Sequence, residues 1–163
     1  FKGLKRVKNM LRLEVGTRTW LIRAGEVYSG KRLVEKEIFE QLEGEVKICD
    51  PYIGVRTLDV LSAIKRRVKI KLLTQIIVEQ SEFRRELKDF RRQYDHIDIE
   101  IRILRSRELH DRYLISEAGS FSFGTSLKDL GNKDCVVMEL PSDVEGALEE
   151  VFDLRWKQAE PLQ

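Results

Sequence analysis

From Ile97 to Ile103 every second residue is isoleucine, and the residues between them are Asp98, Glu100 and Arg102. An extended chain turns successive side chains to opposite faces, so this run predicts a strand over 97–104 with one buried and one charged face. A strand of that kind needs neighbours. Val46–Cys49 and Val68–Leu73 are short apolar runs of strand type, and segments with helical spacing, 57–65 and 81–94, separate the three. Strand and helix in alternation point to α/β layering.

The second half changes character. The runs 112–116, 120–123 and 135–140 read as short strands joined by turns, without intervening helices long enough for parallel crossovers. They are expected to pair antiparallel, which makes the whole an α/β fold with a mixed central sheet flanked by helices. A last helix over 143–156 is expected to set Val144, Leu148, Val151, Phe152 and Arg155 against the sheet. Ahead of the first apolar strand, 3–15 has the spacing of a short basic amphipathic helix. Residues 17–23 read as a strand with Trp20 and Ile22 on one side, and Leu33, Val34, Ile38, Phe39 and Leu42 mark a helix ended by Gly44. The reading is one domain over 1–163, with 1–28 as an N-terminal helix and strand extension. A first residue of Phe rather than Met points to a piece of a longer protein.

Hydrophobic residues make up 42% of the chain and charged ones 36%, which suits a packed interior and excludes disorder as the default. Thirty Lys plus Arg against 28 Asp plus Glu leave a net charge of +2, too near balance to imply nucleic acid, so only a local patch can carry that claim. The runs 65–67, 84–85 and 91–92 are basic, but Glu82, Glu86 and Asp89 share their helix and can pair at i,i+4, which fits a solvated face. Cys49 and Cys135 each lie in an apolar strand run, where a free thiol acts as a small hydrophobe. No apolar stretch approaches the ~20 residues of a membrane span. A reducing, cytoplasmic setting is expected, and no cofactor or metal.

The segment Leu109-His110-Asp111-Arg112 followed by Gly124-Thr125-Ser126-Leu127-Lys128-Asp129 carries the chemistry. In a strand starting near His110, the imidazole and the Arg112 guanidinium emerge on the same face, while Asp111 points away and forms a salt bridge. A turn rich in Gly, Thr and Ser brings hydroxyls and N–H groups to that face, and such groups suit phosphate oxygens. Lys128 adds a candidate phosphate contact. Asp50 and Tyr52, after a strand, either rim the pocket or form a plain strand-ending turn. His96 reads as part of a solvated loop.

These residues resemble the signature of the phospholipase D superfamily: His, any residue, Lys, four residues, Asp, six residues, Gly-Ser, and a downstream Asn. His110, Arg112, Glu117 and Gly124-Thr125 fall at matching gaps, and Ser126 and Asp129 match the distal Ser-x-x-Asn element with one residue inserted. A looser likeness is to the membrane-binding phospholipase D-like domain of MIT-containing proteins. The resemblance implies His110, Arg112, Glu117 and Ser126 as catalytic residues and Arg112, Thr125, Ser126, Lys128 and Asp129 as phosphate ligands. It also implies metal-independent chemistry in which His110 attacks phosphorus. The chain has Arg for Lys and Glu for Asp, and it carries one motif where the enzymes use two. Catalysis therefore requires a homodimer with a composite site, or a partner domain supplying the other His, and is expected to act on a phosphodiester ligand such as DNA or RNA. The alternative is an inactive module that binds phosphate, lipid or nucleic acid; an anionic membrane surface is the less favoured partner.

Overall fold

Helices and strands alternate over Thr19–Ile22 (β1), Val27–Glu37 (α1), Gly44–Cys49 (β2), Tyr52–Ile53 (β3), Val55–Leu61 (α2), Val68–Thr74 (β4), Ile76–Ile77 (β5) and Gln80–Gln93 (α3) in a computed structural model that describes residues 18–163. They continue over Ile97–Ile103 (β6), Arg112–Ser116 (β7), Gly119–Phe123 (β8), Cys135–Glu139 (β9), Ser142–Gln158 (α4) and Glu160–Pro161 (β10). The helix read over 3–15 lies outside the described residues.

The described strands form an eight-stranded sheet in the order β1-β9-β8-β7-β2-β4-β6-β10, with β3 and β5 as a separate parallel pair. β2, β4 and β6 are parallel, whereas β7, β8, β9 and β1 run antiparallel to their neighbours. The mixed sheet expected from the two halves of the sequence is thus present. The change from parallel to antiparallel falls between β2 and β7.

Each face of the sheet has its own core. On one, Val46, Ile48, Ile70, Leu72, Ile99, Leu114 and Phe121 pack with Val34 of α1, Leu58 and Leu61 of α2 and Phe83, Leu87 and Phe90 of α3. On the other, Cys49, Leu73, Tyr113 and Ile115 pack with Phe152 and Trp156 of α4. Among the described residues one helix covers only part of that second face. The remainder is charged, with Glu45, Lys69 and Asp98 side by side across β2, β4 and β6, and Lys47, Lys71 and Glu100 in the next row. This partial cover is why β6 alternates so regularly instead of reading as the continuous apolar run of a parallel strand buried on both sides. Lys47 closes onto α4, with Nζ 2.7 Å from Asp153 and 3.5 Å from Glu149. The Arg102 guanidinium stacks 4.5 Å from the Trp156 ring centroid and donates to the Trp156 carbonyl at 2.9 Å.

Three expectations are corrected. The helix expected to run to Gly44 ends at Glu37; Ile38, at φ −118°, ψ −65°, leads into a separate 3-10 turn over Phe39–Gln41. The helix read over 57–65 stops at Leu61. In α4, Val144 and Val151 are each 39% exposed, because the helix turns Phe152 and Trp156 inward and leaves these valines on its flank. Both cysteines are free and buried, as their apolar surroundings imply. No described helix is long and apolar enough to cross a membrane.

Candidate functional site

The register decides what meets at the carboxyl ends of β2 and β4. Cys49 lies opposite Tyr113 and Arg112 opposite Phe123, so Asp50, Arg112 and the turn after Phe123 share one edge of the sheet. In open α/β sheets this is the edge where ligands collect. The turn approaches β9 closely: the Gly124 N–H donates to the Val136 carbonyl at 2.9 Å, and a Cβ at Gly124 would lie 3.2 Å from Val136 N. Glycine lets the chain leave β8 flush against β9 and deliver Thr125 and Ser126 to the edge.

Asp50 organises the site from beneath. Its side chain is buried, at 1% exposure, and one carboxylate oxygen accepts the Leu127 N–H at 2.8 Å while the other accepts the Tyr52 N–H at 3.2 Å. Burial pushes the Asp50 carboxyl above its ordinary pKa, opposed by the Leu127 N–H, the Ser126 hydroxyl, the Tyr52 N–H and the charge of Arg112. The carboxylate thus ties the 3-10 turn Leu127–Asp129 to the end of β2.

Above it, the Arg112 Nε–H donates to Ser126 Oγ at 3.2 Å. Among the described residues the two Nη groups of Arg112 make no hydrogen bond, so the guanidinium is oriented through one nitrogen and keeps its fork free. Such a fork matches two oxygens of a carboxylate or phosphate. Thr125, the residue before Ser126 in the turn, is buried, with an Oγ1 that has no hydrogen-bond partner among the described residues.

The other residues singled out in the sequence are dispersed. β7 starts at Arg112, so His110 sits in the preceding loop rather than on the strand. Its side chain is 93% exposed, and Nδ1 lies 3.4 Å from Asp111 Oδ1. Asp111 therefore turns toward His110 instead of away, because strand alternation does not govern an irregular segment. Glu117 is at the opposite edge of the sheet, beyond Ser116, lining a small cavity with Glu45, Lys47 and Glu149. Lys128 and Asp129 pair with each other at 2.8 Å and line a third cavity with Gly54 and Asn132. His96 is half-buried, its Nε2 2.7 Å from the Ile64 carbonyl, at the amino end of β6. Among the described residues no three His, Cys, Asp or Glu side chains are grouped to hold a metal ion.

Asp50 is the residue whose position the sequence undersold, since it read as a rim residue or a turn. The signal was available: an acidic residue directly after the apolar Ile48-Cys49 end of β2 and before Pro51 has to find donors in the interior.

No family model matches the sequence, and no curated protein matches it. Solved structures do. TrmBL2, an archaeal chromatin protein whose structure shows a novel mode of DNA binding, is 22% identical with a TM-score of 0.58 over 99% of this chain and 62% of its own. This chain therefore spans 62% of the length of TrmBL2. Nuc from Salmonella typhimurium, a phospholipase D family member, is 14% identical with a TM-score of 0.63, covering 91% of this chain and 99% of its own. NucT from Helicobacter pylori is 10% identical with a TM-score of 0.61, covering 90% of this chain and 100% of its own. The chain has a phospholipase D-like fold.

Proposed function

We propose that this domain binds the phosphodiester groups of nucleic acid at the edge formed by Arg112 and Ser126, without a metal ion. The observation that carries the reading is the oriented guanidinium: Nε is held by Ser126 Oγ at 3.2 Å over the buried Asp50, and the fork is left uncommitted. A cation fixed by its own neighbours loses less rotamer freedom when it meets a phosphate than one that must be ordered by the ligand. The reading is also supported by the DNA binding of TrmBL2 and by the phospholipase D family membership of Nuc, both of this fold. The test is fluorescence anisotropy of a labelled oligonucleotide. Arg112→Ala weakens binding about tenfold or more if the guanidinium holds a phosphate, the scale expected of a charged hydrogen bond. Unchanged affinity refutes the reading.

A second reading, hydrolysis, is favoured by the exposure of His110, whose imidazole faces solvent and pairs with Asp111. In a symmetric homodimer, His110 of one subunit attacks phosphorus and the P–O bond to the leaving group breaks. His110 of the second subunit protonates the departing oxygen, and water then releases the phosphohistidine. Cleavage of bis(p-nitrophenyl) phosphate in excess EDTA, lost in His110→Ala, supports it; absence of cleavage by the dimer leaves binding as the function.

A further inference from the structure

A cavity of about 950 Å³ opens beside the Arg112 edge, between the start of α3 and the loop that joins β6 to β7. Its walls carry three guanidinium groups, Arg84 from α3 and Arg105 and Arg107 from the loop, against one carboxylate among the lining residues, Glu160. Arg105 is 80% exposed and pairs with Glu160 at 2.9 Å, a surface ion pair of small worth that an incoming anion can replace. Arg84 leans across the cavity to the Gln163 carbonyl.

The position matters as much as the charge. The same loop that holds Arg105 and Arg107 continues to His110 and Arg112. On the other side, Gln75, which lines the cavity, donates its backbone N–H to the carbonyl of Pro51, the residue after Asp50. The groove and the Arg112 site are therefore neighbours on one edge of the sheet. Between the arginines the groove offers apolar surface, with Ile76 47% exposed.

We infer that this groove holds a single strand of nucleic acid whose phosphates lie against Arg84, Arg105 and Arg107 and whose chain continues to Arg112. The inference rests on the reading of Arg112 as a phosphodiester site for its direction, but the groove charges stand independently of it. Spaced cations fit a run of phosphodiesters and not one small ester. The exposed isoleucine suits an unpaired nucleotide, because a duplex keeps its bases stacked inside and would present only phosphates. Among the described residues no aromatic side chain lines the groove, so binding is governed by the backbone and tolerant of sequence.

The test compares wild type, Arg105→Gln/Arg107→Gln and Arg112→Ala, each binding a labelled 20-mer of thymidine, the same length of duplex, and a dinucleotide, over a range of salt. The double variant is expected to bind the single strand about tenfold more weakly and to lose about 1.4 from the slope of log affinity against log salt, the value for two phosphate contacts on a single strand. Its dinucleotide affinity stays that of wild type. An unchanged single-strand affinity and slope overturns the groove, whatever Arg112→Ala does. An equal loss with duplex overturns the choice of a single strand. If Arg112→Ala binds all three ligands like wild type while the double variant loses the single strand, the groove stands and the Arg112 site falls.

Discussion

The carboxylate of Asp50 accepts the backbone N–H of Leu127 at 2.8 Å, joining residues 77 positions apart. One directly follows β2 and the other lies in the turn that presents Ser126. This contact converts a sheet edge into a site, because Ser126 in turn fixes Arg112.

Removing that acid should show the cost of orphaning its donors. Asp50→Ala leaves the Leu127 and Tyr52 N–H groups without their acceptor, and each buried unsatisfied donor costs roughly 1–3 kcal/mol. Urea unfolding should report a loss of about 2 kcal/mol or more. A loss below about 0.5 kcal/mol, the size of an ordinary surface change, would mean the turn is held by other contacts.

The pH dependence has a definite sign. Desolvation raises the Asp50 carboxyl pKa in the folded protein above its unfolded value near 3.9. The folded state thus binds the proton more tightly, and the stability from that proton is complete below pH ~4 and lost as pH rises through the folded pKa. Asp50→Asn cannot titrate, so its stability relative to wild type should climb over that window. Parallel stability curves for the two proteins from pH 3.5 to 7 would contradict this.

Gly131 marks a second close junction. It has φ +84°, and a Cβ there would lie 2.3 Å from Val27 Cα, where its carbonyl receives the Gly25 N–H at 2.8 Å. Gly131→Ala should lose about 2 kcal/mol or more, combining the left-handed strain with a backbone collision. Thermal unfolding checks it. Gly146→Ala, in α4 with open space at its Cβ, should be neutral or stabilising.

The facing of α4 is open to a paired substitution. Phe152 is fully buried under the sheet, so Phe152→Ala should cost about 3–5 kcal/mol, whereas Val151→Ala on the exposed flank should cost less than about 1 kcal/mol. Similar losses for both would indicate that the helix turns its valine flank inward.

Much of this architecture was legible in the sequence where one period dominates. β7 falls at the boundaries that Arg112 to Ser116 dictate, and β6 follows its isoleucines. Legibility failed where local and tertiary forces compete. Ile38, Phe39 and Leu42 continue a helical pattern, yet all three are buried and are served by a 3-10 turn after α1 ends. β3, β5 and β10 are two residues each, too short for any periodicity. For the site, motif spacing found Arg112 and Ser126, which meet in space, but it also selected Glu117, which the strand over 112–116 carries one strand length away from them. Spacing along a strand fixes which face a residue takes, not whether the strand has begun, and so His110 was expected on β7 when it precedes it.

On the proposed function, the free fork of Arg112 receives a phosphate-like anion. Crystals grown with tungstate test it directly, because the anomalous signal locates the anion without assumptions. A peak is expected within about 4 Å of the Arg112 Nη atoms, beside Ser126, and is expected to disappear in Arg112→Ala. Tungstate bound elsewhere on the domain, with that edge empty in well-ordered wild-type crystals, would contradict it.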